Sequence, residues 1–366
     1  MSDVRVRLGS RSYTVHIHPG LCRKVGALCR RVTSGRSAAL VTSAAIGRRY
    51  AARVERSLQS AGFRVYRILT TDGERAKTPA HVARLHNRFA GHRLERNDPI
   101  VVLGGGTLGD AAGFAAATYL RGVPLVHVPT TLMAQVDSAV GGKTGVNLAA
   151  GKNLVGAIWQ PATVICDTET LASLPRREVA SGLAEIVKYG LIAHPAILAR
   201  FERSLARTSA RPEIEPSLVA ECVRIKARVV EADERESGLR RILNFGHTLG
   251  HAFENAQGYR KMTHGEAVAL GMLVALELSC DRLRLAAVHR DRVFVLLRRI
   301  FPRLAMPRAT FRQLDRAMSR DKKVKGGRRM WVLLKEPGEP VIAEVRSTAG
   351  IERALESARH HWAACV

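Results

Sequence analysis

The sequence predicts an α/β fold in its first half and a helical fold in its second: an N-terminal α/β domain with a mainly parallel sheet over residues 1–176, then an all-α C-terminal domain over 177–366. Three observations carry this reading. Short β-branched runs alternate with helical periodicities before residue 176, which implies a largely parallel sheet. Long amphipathic stretches follow one another after it. A glycine-rich turn at Gly104–Gly109 ends a strand and opens a helix.

In chain order, strands are expected at Val4–Leu8, Tyr13–Ile17, Ala38–Val41, Arg64–Leu69, Ile100–Leu103, Pro124–Val128 and Thr163–Cys166. Helical periodicity covers Ala44–Ser60 and Thr78–Gly91 between them. Beyond Leu174-Pro175 it covers Arg177–Ile192, Pro195–Ala206, Ser217–Ala232, Thr248–Gln257, Gly265–Arg284 and Arg290–Ile300. A late strand pair, Met330–Leu334 and Pro340–Val345, flanks the turn signal Pro337-Gly338. There is no internal repeat.

Composition narrows the class. At 366 residues with 46% apolar content, two domains with substantial cores are possible. No apolar run reaches the roughly 18 to 20 residues that cross a bilayer, and the N-terminus has no apolar leader core, so no membrane partner is expected. Six scattered cysteines without a C-x-x-C pair point to reduced thiols and a cytoplasmic protein. The net charge is +26, but it comes from 47 arginines and 11 lysines spread along the whole chain. The densest basic run, Asp321–Arg329, is short and lacks interleaved aromatics. Compositional bias explains this better than a specific nucleic-acid partner, and a cationic site for an anionic substrate is compatible with it.

Three stretches carry chemistry. Gly104-Gly-Gly-Thr-Leu-Gly109 contains G-x-G-x-x-G, which lets backbone N–H groups approach a pyrophosphate at a helix N-terminus. It does not follow the first strand, and the next strand ends in Val128-Pro-Thr-Thr131 without an acid for a ribose, so a non-standard dinucleotide site is expected. Gln135–Asn147 and Gly151-Lys152-Asn153 read as glycine-flanked cationic loops suited to a phosphate or carboxylate. The full P-loop spacing fails, since Asp137 stands where its first glycine would be. In Asn244-Phe-Gly-His247-Thr-Leu-Gly-His251 the two histidines lie one helical turn apart on one face. Imidazoles plus a carboxylate make an open zinc site. The residues alone put His247 and His251 on the metal, with Glu185 or Glu266 third and His264 as the rival.

Taken together and in order, Asp72-Gly-Glu-Arg-Ala-Lys77, Gly104–Phe114, Tyr119–Gly122, Pro129–Leu132, Ala134–Thr144, Gly182–Gly190, Asn244–Glu254, His264–Val268 and Asp321-Lys-Lys323 closely resemble the 3-dehydroquinate synthase family, which supplies the second enzyme of the shikimate pathway. The resemblance covers nearly the whole length and is weakest before residue 70 and after 330. It implies an N-terminal nucleotide-binding domain, NAD, one zinc (or cobalt) ion and a homodimer. It implies conversion of 3-deoxy-D-arabino-heptulosonate 7-phosphate to 3-dehydroquinate and phosphate, by transient NAD-dependent oxidation, phosphate elimination, re-reduction and aldol closure. It also replaces the metal set above with Glu185, His247 and His264, and moves His251 to the substrate. By motif position, Arg121, Lys143, Asn153, Lys188, Lys226, Arg240, Asn244, His251 and Lys322 (or Lys323) resemble the substrate contacts, with Asp137 and Asp233 as orienting partners. Asp72, Glu74, Lys77, Gly105, Gly106, Gly109, Asp110, Thr130, Thr131, Lys143, Lys152 and Thr170 resemble the NAD contacts. A sister sugar-phosphate cyclase, a polyol dehydrogenase that releases NADH, and a basic nucleic-acid binder are the competing readings.

Overall fold

A computed structural model describes residues 2–207, 214–258, 261–319, 324–325 and 328–365. The chain divides into two compact units. One comprises Met1–Leu174 with Ile214–Arg235, the other Pro175–Glu213 with Glu236–Val366.

The first unit is built on seven strands, and each falls where a β-branched run predicts it: β1 Ser2–Val6, β2 Tyr13–His18, β3 Ser37–Ser43, β4 Arg64–Thr70, β5 Ile100–Gly104, β6 Leu125–Pro129 and, after a hairpin described below, β9 Thr163–Asp167. The sheet order is β1-β2-β9-β6-β5-β3-β4. Only β1 and β2 pair antiparallel; the other five pairings are parallel. The central strands β5, β6 and β9 are buried at every residue, as parallel strands covered on both faces must be. Helices α1 Val25–Arg30, α2 Ala44–Ser60, α3 Pro79–Gly91 and α4 Gly106–Thr118 connect them. Ser43 caps α2, accepting from the Ile46 N–H, and Thr78 caps α3, accepting from the His81 N–H. One apolar cluster packs α3 and α4 against the sheet through Val82, Leu85, Phe89, Leu108 and Val102. A second packs α1 and α2 through Leu28, Val54, Leu58, Leu40 and Val101.

Two features of this unit depart from the sequence reading. The segments read as cationic loops form an antiparallel hairpin, β7 Lys143–Leu148 and β8 Gly151–Ile158. Its polar, glycine-bearing strands lack an alternating apolar signal. The expected single division at 176/177 also gives way, because the chain returns: α7 Pro216–Ala232 packs on β1 and β2 and on the turn Ala134–Ser138. Its buried face, Leu218, Val219, Cys222 and Val223, follows helical periodicity, which does not say which core a helix joins.

The second unit holds α5 Arg176–Ile192, α6 Ala196–Arg207, α8 His247–Ala256, α9 His264–Leu283, α10 Ala287–Ile300, α11 Phe311–Ser319 and α12 Thr348–Ala364. It is helical as predicted but not all-α. A small antiparallel sheet, β10 Val324–Lys325, β11 Arg328–Glu336 and β12 Glu339–Glu344, contains the expected late strand pair. The central helix α9 is buried along most of its length, from Ala267 to Ser279, which matches its apolar composition on all sides.

Candidate active site

Three helix segments of the second unit assemble the acid and the imidazoles. Gly246 starts α8 with φ of +78°, and a Cβ there would come within 2.5 Å of Met272 Cγ on α9. A Cβ at Gly271 would meet the Gly246 carbonyl at 1.9 Å. Only two glycines allow that approach. The start of α9 is fixed against α5 in the same way: the Gly265 N–H donates to Ser181 Oγ at 2.9 Å, and a Cβ at Gly265 would strike the Ser181 backbone at 2.2 Å. Glu185 lies one turn beyond Ser181 on α5, so His247, His264 and Glu185 are brought together.

Glu185 is fully buried. One of its oxygens, Oε2, is ion-paired with the Lys188 ammonium, three residues on along α5. The other, Oε1, faces His247 Nε2 at 3.7 Å and His264 Nε2 at 3.6 Å. Among the described residues Oε1 has no hydrogen-bond partner. A buried carboxylate oxygen without a donor, facing two imidazole nitrogens, suits a cation. The ligand atoms of Glu185, His247 and His264 all lie within 4.8 Å of one another. His247 Nδ1 donates to the Phe245 carbonyl at 3.1 Å, which fixes the tautomer that presents Nε2 as a lone pair.

The metal pair expected from helical spacing alone is therefore not the one the fold gathers around Glu185. His251 stacks edge-on against His247, with ring centroids 5.7 Å apart, but it groups with Glu254 and His264 instead. Glu266 is not a metal candidate. It closes the capping box of α9, receiving the Thr263 N–H at 2.6 Å, and Arg177 grips it at 3.1 and 2.7 Å. Asn244 donates to Glu236 at 2.6 Å, and Arg240 is buried in the same unit. Lys322 and Lys323 lie outside the described residues.

In the first unit the glycine turn joins β5 to α4 at the carboxyl edge of the sheet. Strand order reverses there, because β3 leads outward to β4 while β5 leads back to β6. That is where open α/β sheets bind nucleotides. Gly105 caps α4 and Gly106 begins it. A Cβ on Gly106 would lie 2.5 Å from Ser138 Oγ, so the turn sits tightly on the Ala134–Ser138 segment. At the same edge Asp72 accepts from Ser43 Oγ at 2.9 Å. Lys77, only 4% exposed, reaches Asp110 at 2.6 Å and also Asn153. Burial pushes the Asp110 carboxyl above the usual carboxylate range, and the Lys77 ammonium pulls it back. Glu74 accepts from Asn147 at 2.7 Å and pairs with Lys152 at 3.4 Å. Glu74, Lys77, Asp110 and Lys152, four of the residues expected at the nucleotide, thus form one polar network with Asn147 and Asn153 of the hairpin.

Lys226, from α7, donates to the Asp137 carbonyl at 2.6 Å and to its carboxylate at 2.7 Å, so the returning helix supplies a cation to this unit. Leu120 and Arg121 both have positive φ, 48° and 65°, a strained placement of a kind that gathers at functional sites. Lys143 is exposed at the start of the hairpin, and Asp233 follows the end of α7. The sequence reading gave no role to Gln135, His127 or Glu254. The buried Gln135 amide ties Pro129, Asp167 and Thr170 together at 3.0, 3.0 and 3.2 Å, bracing the segments that carry Thr130, Thr131 and Thr170. His127 lines the crevice under the glycine turn beside Gly109. Glu254 continues the i, i+4, i+7 face of His247 and His251, a spacing visible in the sequence.

A model described as the 3-dehydroquinate synthase N-terminal domain matches residues 67–181, and one described as its C-terminal domain matches residues 182–324. The chain belongs to the 3-dehydroquinate synthase family. A relative named 3-dehydroquinate synthase from Geobacter metallireducens is 46% identical over 89% of this chain and 91% of its own. Another of that name, from Symbiobacterium thermophilum, is 44% identical over 97% and 100%. Among solved structures, 2-deoxy-scyllo-inosose synthase complexed with carbaglucose-6-phosphate, NAD+ and Co2+ superposes with a TM-score of 0.87 at 26% identity, covering 97% and 99% of the two chains. The 2-epi-5-epi-valiolone synthase of Streptomyces hygroscopicus, with NAD+ and Zn2+ bound, matches equally well at 26% identity, covering 97% and 98%. A glycerol dehydrogenase of Schizosaccharomyces pombe shares the fold at a TM-score of 0.66 and 15% identity, covering 96% and 90%. Among the described residues no helix is long and apolar enough to cross a membrane.

Proposed function

We propose that this chain is a 3-dehydroquinate synthase, converting 3-deoxy-D-arabino-heptulosonate 7-phosphate to 3-dehydroquinate and phosphate. The observation that carries the reading is the grouping of Glu185, His247 and His264 within 4.8 Å in a member of this family. Relatives named for the activity, at 42–46% identity, favour it over the sister cyclases, which stand at 26%, and over a polyol dehydrogenase, for which only the fold speaks.

In this reading Glu185, His247 and His264 hold one zinc or cobalt ion, and the Gly104–Gly109 turn with Asp72, Glu74, Lys77, Asp110, Thr130, Thr131, Lys152 and Thr170 holds NAD. When bound, NAD takes and returns one hydride and the metal acidifies a substrate hydroxyl. The chain's own side chains do the rest. Lys188 balances the charge of Glu185 and presents its remaining N–H donors to the substrate. Arg121, Lys143, Asn153 and Lys226 grip the anionic groups, and Asp137 holds the Lys226 ammonium in place before substrate arrives, so less freedom is lost on binding. Arg240, Asn244 and one lysine of the Lys322-Lys323 pair complete the contacts. His251 stands one turn from His247 and can hold or release a proton at its ring nitrogens near the substrate. Buried thiols at Cys22, Cys29 and Cys166 suit a cytoplasmic enzyme, and the family's homodimer is the assembly we assign.

The test is one assay. Purified protein is given the heptulosonate phosphate with a catalytic trace of NAD, and phosphate, dehydroquinate and NADH absorbance are followed together. Equal release of phosphate and dehydroquinate without stoichiometric NADH is expected. Accumulating NADH would identify a dehydrogenase, and no turnover of this substrate would return a sister cyclase to first place.

A further inference from the structure

We propose that Glu254 is the positioning residue of the metal centre: it fixes the tautomer and the ring direction of His264, so that Nε2 of that ring meets the ion. The inference rests on Glu185, His247 and His264 being the metal ligands.

His264 begins α9, and its side chain is 36% exposed, whereas His247 is held through Nδ1 by the Phe245 carbonyl. An imidazole that can flip presents either nitrogen, and only one orientation serves the ion. Glu254 faces the nitrogen of His264 that points away from Glu185. Its carboxylate, 4% exposed, lies 3.5 Å from His264 Nδ1, while Nε2 of the same ring lies 3.6 Å from Glu185 Oε1. The two carboxylates therefore face opposite nitrogens of one ring. A carboxylate behind a ligating imidazole accepts from Nδ1–H, orients the ring and raises its basicity toward the metal. Glu254 reaches this place because it sits seven residues after His247 on α8, two turns along the same face.

The same atoms invite a different reading, since His251, Glu254 and His264 also lie within 4.8 Å of one another and could hold a second ion. The ring chemistry opposes it. His264 already spends Nε2 on the first set, and binding a second ion through Nδ1 would require an imidazolate, stripped of the proton that a neutral ring keeps at one nitrogen. One ion with a hydrogen-bonded carboxylate behind it needs no such deprotonation.

The test uses the cobalt-loaded protein, titrated with a competing chelator, with the visible cobalt absorption and the metal content read in parallel. Glu254→Ala is expected to bind one ion per chain with roughly 10–100-fold weaker affinity and a shifted cobalt band. Glu254→Gln, whose amide oxygen still accepts from Nδ1–H, should recover most of the affinity. Unchanged affinity and an unchanged band in both variants would overturn the proposal. So would two ions per wild-type chain falling to one in either variant, because Glu254 would then be a ligand. If Glu254→Ala does not fold, Glu254→Met, of similar length but without the carboxylate, takes its place: a weaker, spectrally shifted single site supports positioning, and wild-type binding refutes it. His247→Ala run beside them separates the two levels. Full metal content in that chain would sink the ligand assignment itself, whatever Glu254 does.

Discussion

His251 and His127 show how a histidine's surroundings set its task. His251 touches the ring of His247 but stands outside the Glu185 set. His251→Ala should therefore keep its zinc and lose roughly 10²–10⁴-fold in kcat, the usual effect of removing one acid–base or orienting group; metal analysis alongside kinetics checks both halves, and a zinc-free variant would restore the pairing of His247 with His251. His127 lies under the glycine turn, and burial pushes its pKa down to about 4. An unfolded histidine titrates near 6.5, so the unfolded chain binds a proton that the folded one refuses. Stability is then full above about 6.5 and falls as pH drops toward 4. Between pH 7 and pH 5 this residue alone should remove about 2 kcal/mol. Urea titrations of the wild type and of His127→Gln at both pH values measure it: the variant should lose less stability over that range by about that amount.

At the scale of elements, the grouping of Glu185, His247 and His264 is an outcome of helix contact. Gly246 and Gly271 let α8 and α9 touch backbone to backbone, and Ser181 seats the first turn of α9 on α5. Gly246→Ala combines a disfavoured positive φ with a methyl pressed into Met272 and the Val268 carbonyl. It should destabilise by about 1–3 kcal/mol or more and weaken metal binding together with it, because His247 is the next residue. Thermal unfolding with and without zinc is the measurement: loss of stability without loss of metal affinity would mean that α8 can move without moving its ligand. The β7–β8 hairpin plays the corresponding role in the first unit, tying Lys152 and Asn153 to Glu74 and Lys77.

Over the whole molecule, the charge of +26 exceeds what the sites use. Some arginines are consumed in local pairs, such as Arg292 on Glu202 at 2.7 Å through two nitrogens and Arg67 on Glu55. Three of the lysines assigned to the proposed site are held by acids: Lys77 by Asp110, Lys188 by Glu185, Lys226 by Asp137. Duplex DNA should therefore bind without sequence preference and lose its affinity steeply between 50 and 200 mM salt, as phosphate neutralisation by scattered cations does. Competition between unrelated duplexes over that range checks it; a preferred sequence that survives the salt would give the surplus arginine a function of its own.

The sequence by itself determined the seven strands of the mainly parallel sheet, the helices of the second unit and the family, because period-two and period-3.6 patterns and ordered motifs are local. It also placed Glu185, His247 and His264 at the metal by resemblance, while the local spacing pointed to His251. Helical geometry reports which side chains share a face, not which other helix arrives opposite them. The tertiary structure gathers His247 and His264, not His251, around Glu185, through glycine contacts between α8, α9 and α5 whose partners are distant in sequence. It likewise decided that α7 returns to the first unit, since an apolar face fits any core, and that Lys143, Lys152 and Asn153 stand on strands, since a polar hairpin shows no alternation until its two strands pair.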